Sequence, residues 1–255
     1  MSVFFQNITK VVITARSMAI VLCAMLATMA AHAQTDAQLT QYWAMPTYYS
    51  PGAVGNSDYI RITAASRLQW VGIPKAPKEF LGLADSPFKV FGKRIGAGVV
   101  VMQESAGLYS TLNAALQGAF KLKVLKGELS IGLQFGLMSQ SFKGTEAYIP
   151  DDDDYHEGTD DGIPRTDING TAIDFGAGLV YTHKLFWASL SATHLTAPTI
   201  TMKDKNEEEK QYEFNTARSY YFMAGGNIPI KNTLFEVQPS MLLKTDGTSF
   251  VGEAT

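Results

Sequence analysis

The run Asp151-Asp152-Asp153-Asp154-Tyr155-His156-Glu157-Gly158-Thr159-Asp160-Asp161-Gly162 is the richest supply of carboxylates in the chain. Hard oxygens in that number could converge on calcium, with Asp151, Asp152, Asp153, Asp154, Glu157, Asp160 and Asp161 as the candidate ligands. The spacing is not that of an EF-hand, which places acids at alternate positions before a glycine and a distant Glu. Mutual repulsion of like charges makes an extended, solvated loop the better reading. The mixed-charge stretch Lys203-Asp204-Lys205-Asn206-Glu207-Glu208-Glu209-Lys210 could form a short helix or meet a partner, and a solvated connection accounts for it more simply. His194 has Ser189 and Ser191 nearby in sequence, but a hydrolase needs serine, histidine and an orienting group in mutual hydrogen-bond reach, so packing is the favoured role. Gly176-Ala177-Gly178 has no helix after it and is no phosphate loop. The residues therefore point to no catalytic centre, no cofactor and no resident metal.

The elements that would carry these groups follow from composition and period. Of 255 residues, 46% are hydrophobic and 18% charged, which excludes a disordered chain. A net charge of −3 without a Lys/Arg block argues against nucleic acid as a partner. The single cysteine, Cys23, excludes a disulfide framework and a cysteine-based zinc site.

Residues 1–33 read as a secretory signal peptide. Lys10 and Arg16 precede an apolar run from Met18 to Ala30, and Ala31-His32-Ala33 offers small residues to the protease. That run is too short to span a bilayer, and no later stretch is long and apolar enough for a transmembrane helix. A membrane form of the mature chain would have to be a β-barrel. Residues 34–56 are expected as an N-terminal extended segment, followed by a barrel domain over 57–255.

Alternation dominates that domain. Leu129, Ile131, Leu133, Phe135 and Leu137 alternate with Ser130, Gly132, Gln134 and Gly136, and 112–122, 173–181 and 186–192 repeat the pattern. Successive strand side chains point to opposite faces, so each segment has one apolar and one small or polar face. Further strands are expected near 57–70, 79–91, 95–104, 218–228 and 233–244, about nine in all. Alternation alone does not distinguish a barrel in lipid from a soluble sandwich. Three features favour the barrel. The strands are long. They carry glycines (Gly96, Gly98, Gly132, Gly136, Gly176, Gly178, Gly225) that permit curvature. Tight links at Gly92-Lys93-Arg94, Lys126-Gly127, His183-Lys184 and Lys231-Asn232 alternate with looser ones at 105–109, 140–170 and 196–217, so all the tight links share one end. Tyrosines and tryptophans near strand ends, Trp70 and Trp187 among them, fall where interface girdles would lie.

Alternation also places Arg67 with Arg61, Thr63 and Gln69 on one face, and Ile60, Ile62, Leu68 and Trp70 on the other. An inward Arg67 could pair with an acid such as Asp174, whereas in lipid it would cost roughly 2–4 kcal/mol at the midplane.

Four passages resemble the PorP/SprF family. Gln41-Tyr42 followed by Ser50-Pro51-Gly52-Ala53-Val54-Gly55 is similar to its opening QY…NPAxxG pattern, with Ser50 in place of Asn and Gly52 in place of Ala. Arg67-Leu68-Gln69-Trp70-Val71-Gly72-Ile73-Pro74-Lys75-Ala76-Pro77 resembles R-x-QW-x-GI-x-x-x-P. Asp174-Phe175-Gly176-Ala177-Gly178, with Ser191-Ala192-Thr193-His194-Leu195-Thr196-Ala197-Pro198, resembles the paired DFGxG and SxxHLxxP strands, and Pro239-Ser240-Met241-Leu242-Leu243-Lys244 resembles PS-x-LLK. The resemblance gives Pro51, Arg67, Gln69, Trp70, Asp174, Gly176, Gly178, His194, Pro198, Pro239 and Ser240 structural roles. It implies an all-β, antiparallel transmembrane β-barrel of the outer membrane, incomplete as given because the family usually continues through more strands. It further implies a non-enzymatic part of the type IX secretion and gliding machinery of a Bacteroidota-like bacterium. The expected partners are outer-membrane lipid, the translocon, periplasmic ring proteins and secreted adhesin cargo. The alternative for such a barrel is a passive pore or small-solute transporter.

Overall fold

A computed structural model describes residues 39–147, 163–203, 211–230 and 234–255. The proposed signal peptide and the acidic calcium-candidate run at 151–161 lie outside the described residues. In chain order the strands are β1 (Arg61–Leu68), β2 (Lys78–Val90), β3 (Lys93–Ala106), β4 (Tyr109–Val124), β5 (Gly127–Lys143), β6 (Asp167–Thr182), β7 (Phe186–Thr193), β8 (Thr199–Lys203), β9 (Gln211–Asn215), β10 (Ser219–Gly226), β11 (Ile228–Pro229), β12 (Glu236–Val237), β13 (Ser240–Thr245) and β14 (Phe250–Ala254). Ten of them make one antiparallel sheet in the order β1-β2-β3-β4-β5-β6-β7-β10-β13-β14. The two edges do not meet, so the wall is that of an incomplete barrel. The nine segments read from alternation are all present, and β14 adds a tenth by pairing Phe250 to Thr245.

The two faces of the wall differ as the period requires. One in-register row, Phe88, Ile95, Phe120, Ile131, Leu179, Leu190, Phe222 and Leu243, crosses eight strands on the outer face. Leu116 and Leu133 on the same face are each 66% exposed. Contiguous exposed apolar surface of that extent has no place in water, and it matches the apolar band of a membrane barrel. Leu133→Arg should therefore cost roughly 2–4 kcal/mol in the unfolding free energy of vesicle-reconstituted protein, against about 1 kcal/mol or less for Leu133→Phe. Equal effects of the two changes would mean that this face meets water.

The connections keep part of the expected asymmetry. Phe91-Gly92 and Leu125-Lys126 are two-residue turns with positive φ at every position (48°, 73°, 47° and 63°). Such mirror-image turns match the twist of the flanking strands. His183 N–H closes the third short link on the Phe186 carbonyl at 2.8 Å. One expectation is corrected: the link at 105–109 is itself a two-residue turn, because Ala106 pairs with Tyr109. The tight link expected at Lys231-Asn232 lies outside the described residues; on either side of it β11 pairs with β12. The long connections at the opposite end are those between β1 and β2, β5 and β6, and β7 and β10. The last of these contains the β8–β9 hairpin. Its Ile200 and Met202 are buried against Met138, Phe142 and Ile168, and the Ile200/Met202 and Tyr212/Phe214 alternation was the signal for it.

At that same end Asp246 orders the β13–β14 turn. Burial raises its pKa, but N–H donation from Ser249 (2.6 Å) and Thr248 (2.9 Å) and the Thr248 hydroxyl outweigh this and hold the carboxyl below the usual range.

Candidate functional site

Residues 39–56 are not the extended lead-in that their sequence suggested. They fold into three single helical turns, Tyr42–Ala44, Pro46–Tyr49 and Pro51–Ala53. Pro46 and Pro51 each open a turn, where a preset φ helps and a missing N–H costs nothing. The turns are hydrogen-bonded by Ser50 N–H to the Pro46 carbonyl (3.0 Å) and Val54 N–H to the Pro51 carbonyl (3.3 Å).

This segment fills the inner face of the wall. Tyr42, Tyr49 and Val54 are 0–1% exposed. Leu39, Tyr42, Met45 and Tyr49 share one apolar cluster with Leu81 and Leu83 of β2, Val100 and Met102 of β3, Tyr221 and Met223 of β10, and Leu242 of β13. Strands far apart in sheet order thus meet the same few side chains, which makes this face concave and occupied.

Polar side chains of the sheet hold the segment by its backbone. Gln117 Nε2 donates to the Thr47 carbonyl (2.9 Å), Ser191 Oγ to the Tyr49 carbonyl (2.7 Å), and Asp85 Oδ2 accepts from Gly55 N–H (2.9 Å). Lys121 Nζ donates to the Gly55 carbonyl (2.6 Å) and Asn56 Oδ1 (2.5 Å), with Glu128 Oε1 at 3.5 Å. Its side chain has no exposed surface. Arg94 then holds Asp58 (2.7 Å) and the Ser57 carbonyl (2.9 Å) just before β1.

The floor under the Pro51 turn is glycine. A Cβ at Gly132 would strike the backbone of Pro51 and Gly52, and one at Gly178 would come within 2.5 Å of Ser50 Oγ. The inner-face glycines were expected to let the wall curve; at these two positions they admit close backbone approach.

The family-motif residues mostly meet in this interior. Asp174 and His194, from two separate motifs, come together: Nδ1 lies 2.9 Å from Oδ2 with both side chains under 10% exposed. Thr196 Oγ1 also donates to Asp174 Oδ1 at 3.3 Å. Ser240 Oγ lies 2.9 Å from Tyr42 Oη, the Pro239 carbonyl accepts from Gly226 N–H, and Pro198 is buried, its carbonyl accepting from Thr216 N–H. Gly176 packs beside Gln134. Arg67 faces inward as alternation predicts, but it does not pair with Asp174. Its Nη1 donates to Glu79 Oε1 (3.1 Å), the residue directly opposite it in the β1–β2 register, whereas Asp174 sits five strands away on β6. Gln69 lies one residue beyond β1, its N–H on the Pro77 carbonyl (3.0 Å). Trp70 is outside the wall altogether, in the connecting turn, with φ 48° and 68% exposure. Asp85, Gln117 and Lys121 were not singled out from sequence; their signal was a polar residue on the inward side of the strand. Ser191, weighed there beside His194, instead holds the Tyr49 carbonyl.

Ser191 is committed to the Tyr49 carbonyl, and among the described residues no group of three His, Cys, Asp or Glu is placed to hold a metal ion. What the arrangement does chemically is grip a peptide segment through its carbonyls and N–H groups. No curated protein and no solved structure matches the chain significantly. The family model described as type IX secretion system membrane protein PorP/SprF matches residues 31–251. With most of its motif residues on the inner face of the wall and a match that spans most of its length, the chain belongs to the PorP/SprF family of type IX secretion system membrane proteins.

Proposed function

We propose that the protein is a non-enzymatic outer-membrane β-barrel component of the type IX secretion and gliding machinery of a Gram-negative, Bacteroidota-like bacterium. It is exported by its signal peptide, supports export or surface display of adhesin cargo, and contacts periplasmic ring components. The observation that carries this reading over a passive pore is the occupied interior: Tyr42, Tyr49 and Val54 are buried where a solute path would run. An apolar exterior with a filled interior suits a protein that works through its surfaces.

Deleting the gene should leave type IX cargo in the periplasm and strip adhesins from the cell surface, and the full-length gene should restore both. The purified full-length protein should give no steady conductance in a planar bilayer. Normal cargo display in the deletion strain, together with an ion-selective channel, would establish the pore reading instead.

A further inference from the structure

Every connection at the short-turn end of the wall holds a large apolar side chain in the open. Phe91 is 100% exposed, Leu125 85%, Leu185 59%, and Leu234 in the β11–β12 arm is fully exposed. Two of these are also placed against local preference. Phe91 (φ 48°) and Leu125 (φ 47°) occupy left-handed turn positions where Asn or Gly is favoured, so each bulky residue is kept at a conformational cost. A lysine accompanies each of the three hairpin tips: exposed Lys93 beside Phe91, Lys126 after Leu125, and Lys184 before Leu185. None of these lysines forms an ion pair among the described residues. Glu128, the acid next to the β4–β5 turn, is taken up by Lys121 and Arg94.

We infer that these tips form a binding surface for anionic phospholipid headgroups at the membrane edge of the barrel. Three observations select lipid over a protein partner. The tips continue the lipid-facing wall, since Val90, Val124 and Phe186, the last exposed apolar residues of their strands, directly adjoin them. They are spread over successive hairpins roughly 10 Å apart, two strand spacings, rather than gathered in one patch, which matches a planar surface. Each pairs one apolar side chain with one cation, the division that lets a residue enter the acyl boundary while an ammonium reaches phosphate. Lys89 and Lys123 fall on the inward side of their strands and belong to the mouth of the interior instead.

The inference rests on the barrel lying in a membrane and not on its role in secretion. It is tested on full-length protein in nanodiscs of phosphatidylcholine with and without phosphatidylglycerol. Native mass spectrometry should find phosphatidylglycerol retained over phosphatidylcholine, with the preference falling about fivefold for each of Lys93, Lys126 and Lys184 changed to Gln. The triple Lys→Arg variant should keep it. A fluorophore on Leu125→Cys should be quenched by lipids spin-labelled at the headgroup. Equal retention of the two lipids, an unchanged preference in the Gln variant, or an unquenched, water-exposed position 125 would each overturn the inference. The last result would point to a docked protein.

Discussion

Gly132→Val should expel the Pro51 turn from the inner face. At this position the Cβ of any other residue would lie against Pro51 and Gly52 backbone, which has no rotamer by which to yield. Overpacking of that kind costs about 1–3 kcal/mol for the smallest side chain and more for a branched one. The damage would reach beyond one contact, because the Tyr42 and Tyr49 rings and the bonds from Gln117, Ser191 and Lys121 all depend on the same seating. Two measurements report it: a lower unfolding midpoint in detergent, and chymotryptic cleavage near Tyr42 and Tyr49, both fully buried in the native chain. Gly118→Ala is the control. Gly118 lies on the outer face with open space around its Cα, so an added methyl should be neutral or stabilise by up to about 1 kcal/mol. If Gly132→Val behaved like that control, the turn would not be seated as described.

The wall was legible in the sequence and its filling was not, for a physical reason. A strand's two-residue period records which face is apolar, so Leu129 to Leu137 specify a one-sided strand without knowledge of neighbours. Residues 39–56 have no such period. Their shape comes from Pro46 and Pro51 opening turns, and their position from contacts with β2, β3, β10 and β13, partners remote in sequence. The same distinction explains Arg67. Its inward facing is local and was read correctly, while its partner depends on register, and register put Glu79 opposite it. Glycine was the most misleading letter. Gly132 and Gly178 look alike whether the wall bends there or something lies against it, and only the neighbouring backbone decides. Asp174 and His194, by contrast, were marked by motif and do meet.

Lys121 is where removal of a single charge should matter most. Its ammonium is fully enclosed and donates to the Gly55 carbonyl and Asn56 Oδ1, with Glu128 at 3.5 Å, so it joins the end of the filling segment to two strands of the wall. Lys121→Met keeps the length and apolar stem but leaves those acceptors without a donor. Each buried orphan costs about 1–3 kcal/mol, and breaking a buried pair from one side about 3–5. Glu128 is 26% exposed and lies 4.0 Å from Arg94, so its own charge keeps water and a neighbour, which places the loss near 2–4 kcal/mol. Because the ammonium is enclosed and its two hydrogen-bond acceptors are neutral, salt should change that loss little, unlike a surface bridge. Asn56→Ala should be markedly less costly in the Lys121→Met background than alone, since both changes break one contact. Strict additivity, or a Lys121→Met cost below about 0.5 kcal/mol, would mean that apolar packing alone seats the segment and the ammonium only fills space.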